Sequence, residues 1–148
     1  PFHGFWLNGE PDNYAPPAEL QIEGLQDKVT ILYDSQAIPH IFASNDHDLY
    51  LAQGYVTAQH RLWQMEIQTH AAAGRVSEIV GSVALDNDRA MRRLGMVYGA
   101  EQALQAIMAN DTARAMVEAY TAGVNAYIET LTDRNLPFEY KLLDYKPE

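Results

Sequence analysis

The groups in this chain that could bind a metal, attack a carbonyl or move a proton are five histidines, twenty acidic residues and the serines Ser35, Ser44, Ser77 and Ser82. Their spacing supports none of those chemistries. His60 and His70 lie on one helical stretch, separated on an ideal helix by about 15 Å of rise and about 80° of rotation. One tetrahedral ion cannot bridge that gap. No His-Glu-x-x-His occurs, which excludes a zinc protease of that type. His3, His40 and His47 fall in different elements. Asp86-Asn87-Asp88 opens like a calcium loop. However, Met91 stands at the loop position that needs glycine, and Val97 stands where the bidentate glutamate belongs. The serines sit in no Gly-x-Ser-x-Gly elbow, and no glycine-rich phosphate loop is present. With no cysteine there is no disulfide, thiolate site or cysteine nucleophile. Read from its residues, the chain carries no catalytic residue and no metal site, and its substrate-binding residues stay unknown. The plain readings are structural. His40 bonds a backbone group near a hairpin, and His60 is a polar residue on a solvated or interface face. Arg61 with Glu66, and Arg75 with Glu78, are surface ion pairs worth about 0–1 kcal/mol unless they are buried.

The elements that would position these groups are mainly helical. Val29 to Tyr33 is a β-branched, alternating run that predicts a strand within 28–33. Asp34-Ser35-Gln36-Ala37 is turn-like, and a second strand within 38–43 starts around Pro39, which lacks an N–H and suits a strand start. Ser44-Asn45-Asp46 are capping types ahead of a helix from Asp46 to Ala73. On its wheel Leu49, Ala52, Val56, Trp63 and Ile67 form one apolar arc, and Leu51, Tyr55, Ala58, Leu62 and Met65 a second. Gln59 and Glu66 fall between the arcs and are expected to be buried and hydrogen-bonded. Gly54 costs about 1 kcal/mol against alanine in a helix interior, so close packing on another backbone is expected there. Gly74 ends the helix. A short helix over 75–80 closes at Gly81, and a charged helix spans Asp86 to Leu94. A further amphipathic helix runs from Asp111, its N-cap, to Leu131. Asn135-Leu136-Pro137 breaks it, and Phe138 to Tyr145 reads as a brief strand or extended arm. Residues 1–27, with Phe2, Phe5 and Trp6 among several prolines and glycines, read as an irregular wrapping arm.

Bulk properties limit the partners. The 148 residues, 47% hydrophobic and 20% charged, suffice for a folded core. A net charge of −10 repels nucleic acid phosphates, so no nucleic acid partner is expected. No apolar run reaches the length of a membrane span. The start at Pro1, without initiator Met or leader-like segment, reads as a processed product, and Tyr145-Lys146-Pro147-Glu148 as a fragment end.

One series of motifs carries more than composition does. It consists of Tyr33-Asp34, Ile38-Pro39-His40-Ile41, Gly54-Tyr55-Val56, Ala58-Gln59, Arg61-Leu62, Gln64-Met65-Glu66, Gly74-Arg75-Val76, Glu78, Gly81, and Asp88 with Arg92-Arg93-Leu94-Gly95. In order and spacing it resembles the small α chain of the penicillin acylase family, which includes acyl-homoserine-lactone and cephalosporin acylases. Two positions depart from the family pattern: His60, where Asp is usual, and Ala37, where glycine is common.

The resemblance implies an α/β fold overall, the αββα N-terminal-nucleophile hydrolase. Within it, 1–148 would be one α-chain segment: the arm over 1–27, a β-hairpin over 28–43 and a helical part with an extended end over 44–148. It implies linear amide hydrolysis through an acyl-enzyme, on a penicillin side chain or an N-acyl-homoserine lactone. The nucleophile would be the N-terminal serine of a larger β chain cut from the same precursor, with its α-amine as base. It further implies no cofactor on this chain, a structural calcium ion only elsewhere in the complete enzyme, and a periplasmic or secreted location after signal-peptide removal. The alternative is a non-catalytic helical binding or assembly module on the same scaffold.

Overall fold

The computed structural model describes residues 19–147. The aromatic arm residues Phe2, Phe5 and Trp6 lie outside that range. From Glu19 to Val29 the backbone is irregular, as expected for that part of the arm. Strands β1 (Thr30–Tyr33) and β2 (Pro39–Phe42) pair antiparallel, with Ile31 opposite Ile41 and Tyr33 opposite Pro39. Six helices follow: α1 (Asp46–Ala73), α2 (Ser77–Val80), α3 (Leu85–Leu94), α4 (Met96–Met108), α5 (Asp111–Glu129) and α6 (Phe138–Leu143), with a 3-10 turn, Gly81–Ala84, ahead of α3. The structure is thus mainly helical with one short hairpin.

The hairpin turn is built by one carboxylate. Asp34 accepts the N–H groups of Gln36 and Ile38 at 2.8 and 2.9 Å, which lowers its pKa. Ala37 then adopts φ +59°, in the left-handed region. A Cβ in that region costs roughly 1–2 kcal/mol. Glycine, which has no Cβ, would avoid that cost. His40 bonds the Asp34 carboxylate at 3.3 Å, not a backbone group as expected.

The described residues fall into two compact units, one made of 19–60 and 108–131, the other of 61–107 and 132–147. The division along α1 coincides with Arg61, whose φ of −140° interrupts the helix. Nothing in the apolar pattern signals that break.

In the first unit the core lies where the first half of α1 meets α5. Leu51, Ala52, Tyr55, Val56, Ala58 and Ala119 are buried. The approach is so close that a Cβ on Gly54 would overlap the Tyr120 carbonyl oxygen. A Cβ on Gly123 would overlap that of Leu51. Two glycines facing two carbonyls let the backbones touch, as anticipated for Gly54. Tyr55 and Tyr127 add an edge-on ring contact at 5.5 Å. Asn110, not Asp111, caps α5: its side chain accepts from Ala113 N–H at 2.9 Å. Asp111 is instead the first helical residue and pairs with Arg114 at 2.7 Å.

In the second unit two expectations are corrected. Phe138 to Leu143 is the helix α6, not a strand or extended arm. Pro137, whose missing N–H costs nothing at a helix start, precedes it. Helix α4 was not anticipated at all. Its residues are all exposed, although Met96, Ala100, Leu104 and Ile107 recur at helical spacing.

Candidate functional site

Four polar arrangements and one groove could carry chemistry. The first centres on Asp48, fully buried near the start of α1. Its two oxygens accept the N–H groups of Gln26 and Asp27 at 2.9 and 2.8 Å, and Asn45 Nδ2 donates at 2.8 Å. Asn45 Oδ1 in turn caps the Asp48 N–H at 2.8 Å. Burial alone would raise the Asp48 pKa, but these donors and the neighbouring His47 outweigh it and hold the carboxyl far below the usual range. The Asn-x-x-Asp spacing, a relative of the capping box, was the signal that could have found it.

The second is Glu66, on the later half of α1 and 7% exposed, as its wheel position required. Oε2 accepts the Tyr140 hydroxyl at 2.7 Å, and Oε1 accepts that of Tyr145 at 3.1 Å. Burial first, then the Glu66 carboxylate, push the Tyr140 phenol far above its ordinary value. Tyr140 packs edge-on against Trp63 at 5.2 Å and stacks on Tyr145 at 6.1 Å. The buried ion pair considered between Arg61 and Glu66 does not form. Arg61 is exposed, and the cation-capable neighbour of Glu66 is His70, 4.0 Å from Oε1. Gln59, also expected to be buried, is only half-buried and makes no hydrogen bond among the described residues.

The third is Asp88, buried on α3. Instead of serving its own helix start, it accepts the N–H groups of Val76 and Ser77 at 3.0 and 2.7 Å and so caps α2. Burial raises its pKa, and the Ser77 and Val76 donors with the Arg92 charge more than reverse that. Arg92 itself donates to the Gly74 carbonyl at 2.8 Å. Arg75 and Glu78 pair at 2.7 Å on the surface, not in the interior. The fourth is His60, exposed, with its Nε2 3.2 Å from the Tyr33 hydroxyl.

The groove, about 950 Å³, lies in the first unit. Leu20, Ile22, Val29, Ile31, Tyr55 and Val56 line much of it, and Gln59 joins them. Its walls suit apolar side chains. No nucleophile–base pair converges on it. Of the four serines, Ser77 donates its backbone N–H to Asp88. Among the described residues no three His, Asp or Glu side chains gather to hold a metal. The buried carboxylates have N–H and O–H donors on their oxygens.

Comparison with known proteins supplies what the side chains do not. Residues 28–148 match the penicillin amidase family profile. The chain belongs to the penicillin amidase family. It is 42% identical over 135 residues to the penicillin acylase 2 proenzyme of Pseudomonas sp. (strain SE83), a match covering 90% of this chain and 17% of that protein. It is 36% identical over 145 residues to the acyl-homoserine lactone acylase QuiP of Pseudomonas aeruginosa, covering 97% of this chain and 17% of that one. Among solved structures, the thermostable penicillin G acylase from Alcaligenes faecalis matches at 29% identity with a TM-score of 0.71. That match covers 82% of this chain and 64% of the other. The chain therefore spans under a fifth of the length of these two Pseudomonas relatives. Each of the three buried carboxylates ties together stretches distant in sequence. No helix among the described residues is long and apolar enough to cross a membrane.

Proposed function

We propose that this chain is the α segment of a two-chain amidohydrolase that cleaves linear amides by an acyl-enzyme route. The observation that carries this reading is the penicillin amidase match over 28–148, with 42% identity to a penicillin acylase proenzyme over 135 residues. The nucleophile is assigned to an N-terminal serine on a larger β chain from the same precursor. There a free α-amine, with a pKa near 8, is a suitable base at neutral pH. The larger chain covers the apolar surface that this one exposes. Leu32 and Phe42 on the hairpin, Val83 before α3, and Leu94 and Tyr98 at the α3–α4 junction are all more than half exposed. Covering such surface is the main driving force of obligate assembly. This chain thus contributes support for the site, not its reacting atoms. The αββα fold, the periplasmic or secreted location and the processing by self-cleavage belong to the same reading. The described residues offer no donor cluster for a structural calcium ion, so no step is assigned to one here.

The substrate is a small amide with an acyl group, either a penicillin or an N-acyl-homoserine lactone, as in the relatives' names. The test is to express the whole reading frame and weigh the native particle. The expected result is this chain together with a larger one beginning in Ser, hydrolysing benzylpenicillin or an acyl-homoserine lactone. Replacing that Ser by Ala should abolish both cleavage and turnover. A single uncleaved, inactive chain that binds a partner would favour the assembly-module reading instead.

A further inference from the structure

The hairpin has two outer edges, and they are not alike. Asp34 N–H donates to the Ile38 carbonyl at 3.1 Å. Counted by twos from there along the register, Leu32–His40 and Thr30–Phe42 are the pairs that exchange ladder hydrogen bonds. Ile31 and Tyr33 are the alternate residues, so their N–H and C=O groups point away from β2. Pro39, opposite Tyr33, agrees with this phase. It has no N–H to give, and proline is tolerated in a strand where the N–H would face outward. The outer edge of β2 is therefore blunted by a proline, as exposed edges commonly are. The outer edge of β1 is not. It presents the N–H and C=O groups of Ile31 and Tyr33, and no hydrogen bond among the described residues reaches any of them.

The groove of about 950 Å³ runs along that open edge. Lys28 to Tyr33 line it without interruption, and none of the four residues of β2 does. Tyr55 and Val56 of α1 line it as well, with Leu20 and Ile22. A backbone seated here would meet donors and acceptors along one side and apolar side chains for every second residue. It would also supply the partners that outward N–H and C=O groups need once water is excluded. The exposed face of the hairpin continues the same surface, since Leu32 and Phe42 are each 57% exposed. A two-stranded hairpin is marginal by itself, and a third strand is what the edge and the groove together accept.

We propose that β1 takes a third strand from the larger chain. The segment is extended and free of proline, matches the four residues of β1, bonds to Ile31 and Tyr33, and sets apolar side chains against Tyr55 and Val56. This is strand addition at a sheet edge, in which main-chain bonds hold the segment and alternate side chains select it. The assignment to the larger chain rests on the two-chain reading above. Its basis is length and continuity. The matches to the two Pseudomonas relatives cover 17% of each, and Leu32, already assigned to the surface that the larger chain covers, also lines the groove.

The test uses the processed enzyme from the whole reading frame. Residue-resolved hydrogen exchange should show the Ile31 and Tyr33 amides slowed at least about tenfold below their intrinsic rates, like the ladder amide of Leu32. Exchange of Ile31 and Tyr33 at intrinsic rates would overturn the proposal. A photoreactive benzophenone amino acid in place of Leu32 identifies the occupant. The expected product joins this chain to one short segment of the larger chain. A link between two copies of this chain, or to residues 1–18 alone, would overturn the proposal. If the frame is not cleaved, the two-chain reading fails by itself. The same link, mapped to a segment beyond position 148 of the uncleaved chain, together with slowed exchange at Ile31 and Tyr33, would still support the added strand.

Discussion

The two halves of α1 are secured by opposite means. Before Arg61, the helix meets α5 backbone to backbone. Gly54 and Gly123 remove their side chains so that the Tyr120 and Leu51 carbonyls can approach. After Arg61, the helix is secured by a buried acid, Glu66, and the hydroxyls of Tyr140 and Tyr145. The first fastening is steric and has no tolerance for a methyl group. The second is polar, so its strength depends on each member keeping its partner. Both lie on one continuous apolar pattern. The contrast shows that a long amphipathic helix need not be held uniformly.

The sharpest way to break this contrast is at the glycine contact. Gly54→Ala removes a helix penalty of about 1 kcal/mol, yet it places a methyl group on a backbone oxygen that no rotamer change can move aside. The helices must separate, and an interior packed like a crystal transmits that shift. The expected net loss is at least about 3 kcal/mol, read as a lower denaturant midpoint or failure of the enzyme to assemble. A variant as stable as the natural protein would mean that the two helices do not meet there.

The polar half should yield somewhat less. Glu66→Ala removes the carboxylate that accepts from the buried Tyr140 and half-buried Tyr145 hydroxyls, at a cost of about 2–3 kcal/mol in total. Glu66→Gln, which keeps one acceptor oxygen, should lose about half as much. Equal losses for the two variants would show that the charge, and not the hydroxyl count, holds this half.

Legibility from the sequence followed the same divide. The bounds of α1, the hairpin and the need for close packing at Gly54 were readable, because each depends on residues near in sequence or on periodicity. The burial of Glu66 was readable for the same reason. Its partners were not: Tyr140 is more than seventy residues away. Moreover, Phe138 to Leu143 reads locally as extended after the break at Asn135-Leu136-Pro137, although Pro137 also suits a helix start, and its Tyr140 packs edge-on against Trp63. Asp88 misled in a similar way. Acidic residues opening α3 suggest a dipole role, whereas Asp88 reaches back to cap α2. The break at Arg61 gave no signal, since it does not change the apolar pattern, whereas α4 carried one in the helical spacing of Met96, Ala100, Leu104 and Ile107. For the site, local chemistry named no residue, whereas the motif series pointed to the family that the profile match shows.

A third test separates polar fastening from proton dependence. Asp48 is as buried as Glu66, but backbone N–H groups form much of its shell. Asp48→Asn places an amide N–H₂ against one of those donors and should cost about 2 kcal/mol at neutral pH. The folded Asp48 carboxyl has a lowered pKa. Its contribution is therefore complete above the unfolded carboxyl's range and is lost as pH falls below about 4. The gap between variant and natural protein should narrow on that acid limb and stay constant above it. A gap that instead widened with acid would reverse the assigned sign.

The smallest expected effect is a gain, and it lies outside α1. Ala37 holds φ +59° because Asp34 accepts two N–H groups across the turn and leaves the chain no other route into β2. Ala37→Gly keeps that turn and removes the Cβ from a region that suits glycine. It also gives the unfolded chain more freedom, which opposes the gain. The steric relief of roughly 1–2 kcal/mol is the larger of the two, so the hairpin should be stabilised by about 0.5–1 kcal/mol. The measurement is the denaturant midpoint of the assembled enzyme, with Ser35→Gly in the same turn as control. Ser35 has no positive φ, so its substitution should only destabilise. If Ala37→Gly lowered stability as Ser35→Gly does, the left-handed turn would not be the conformation of this hairpin in solution. The Asp34 contacts would then need a different backbone to explain them.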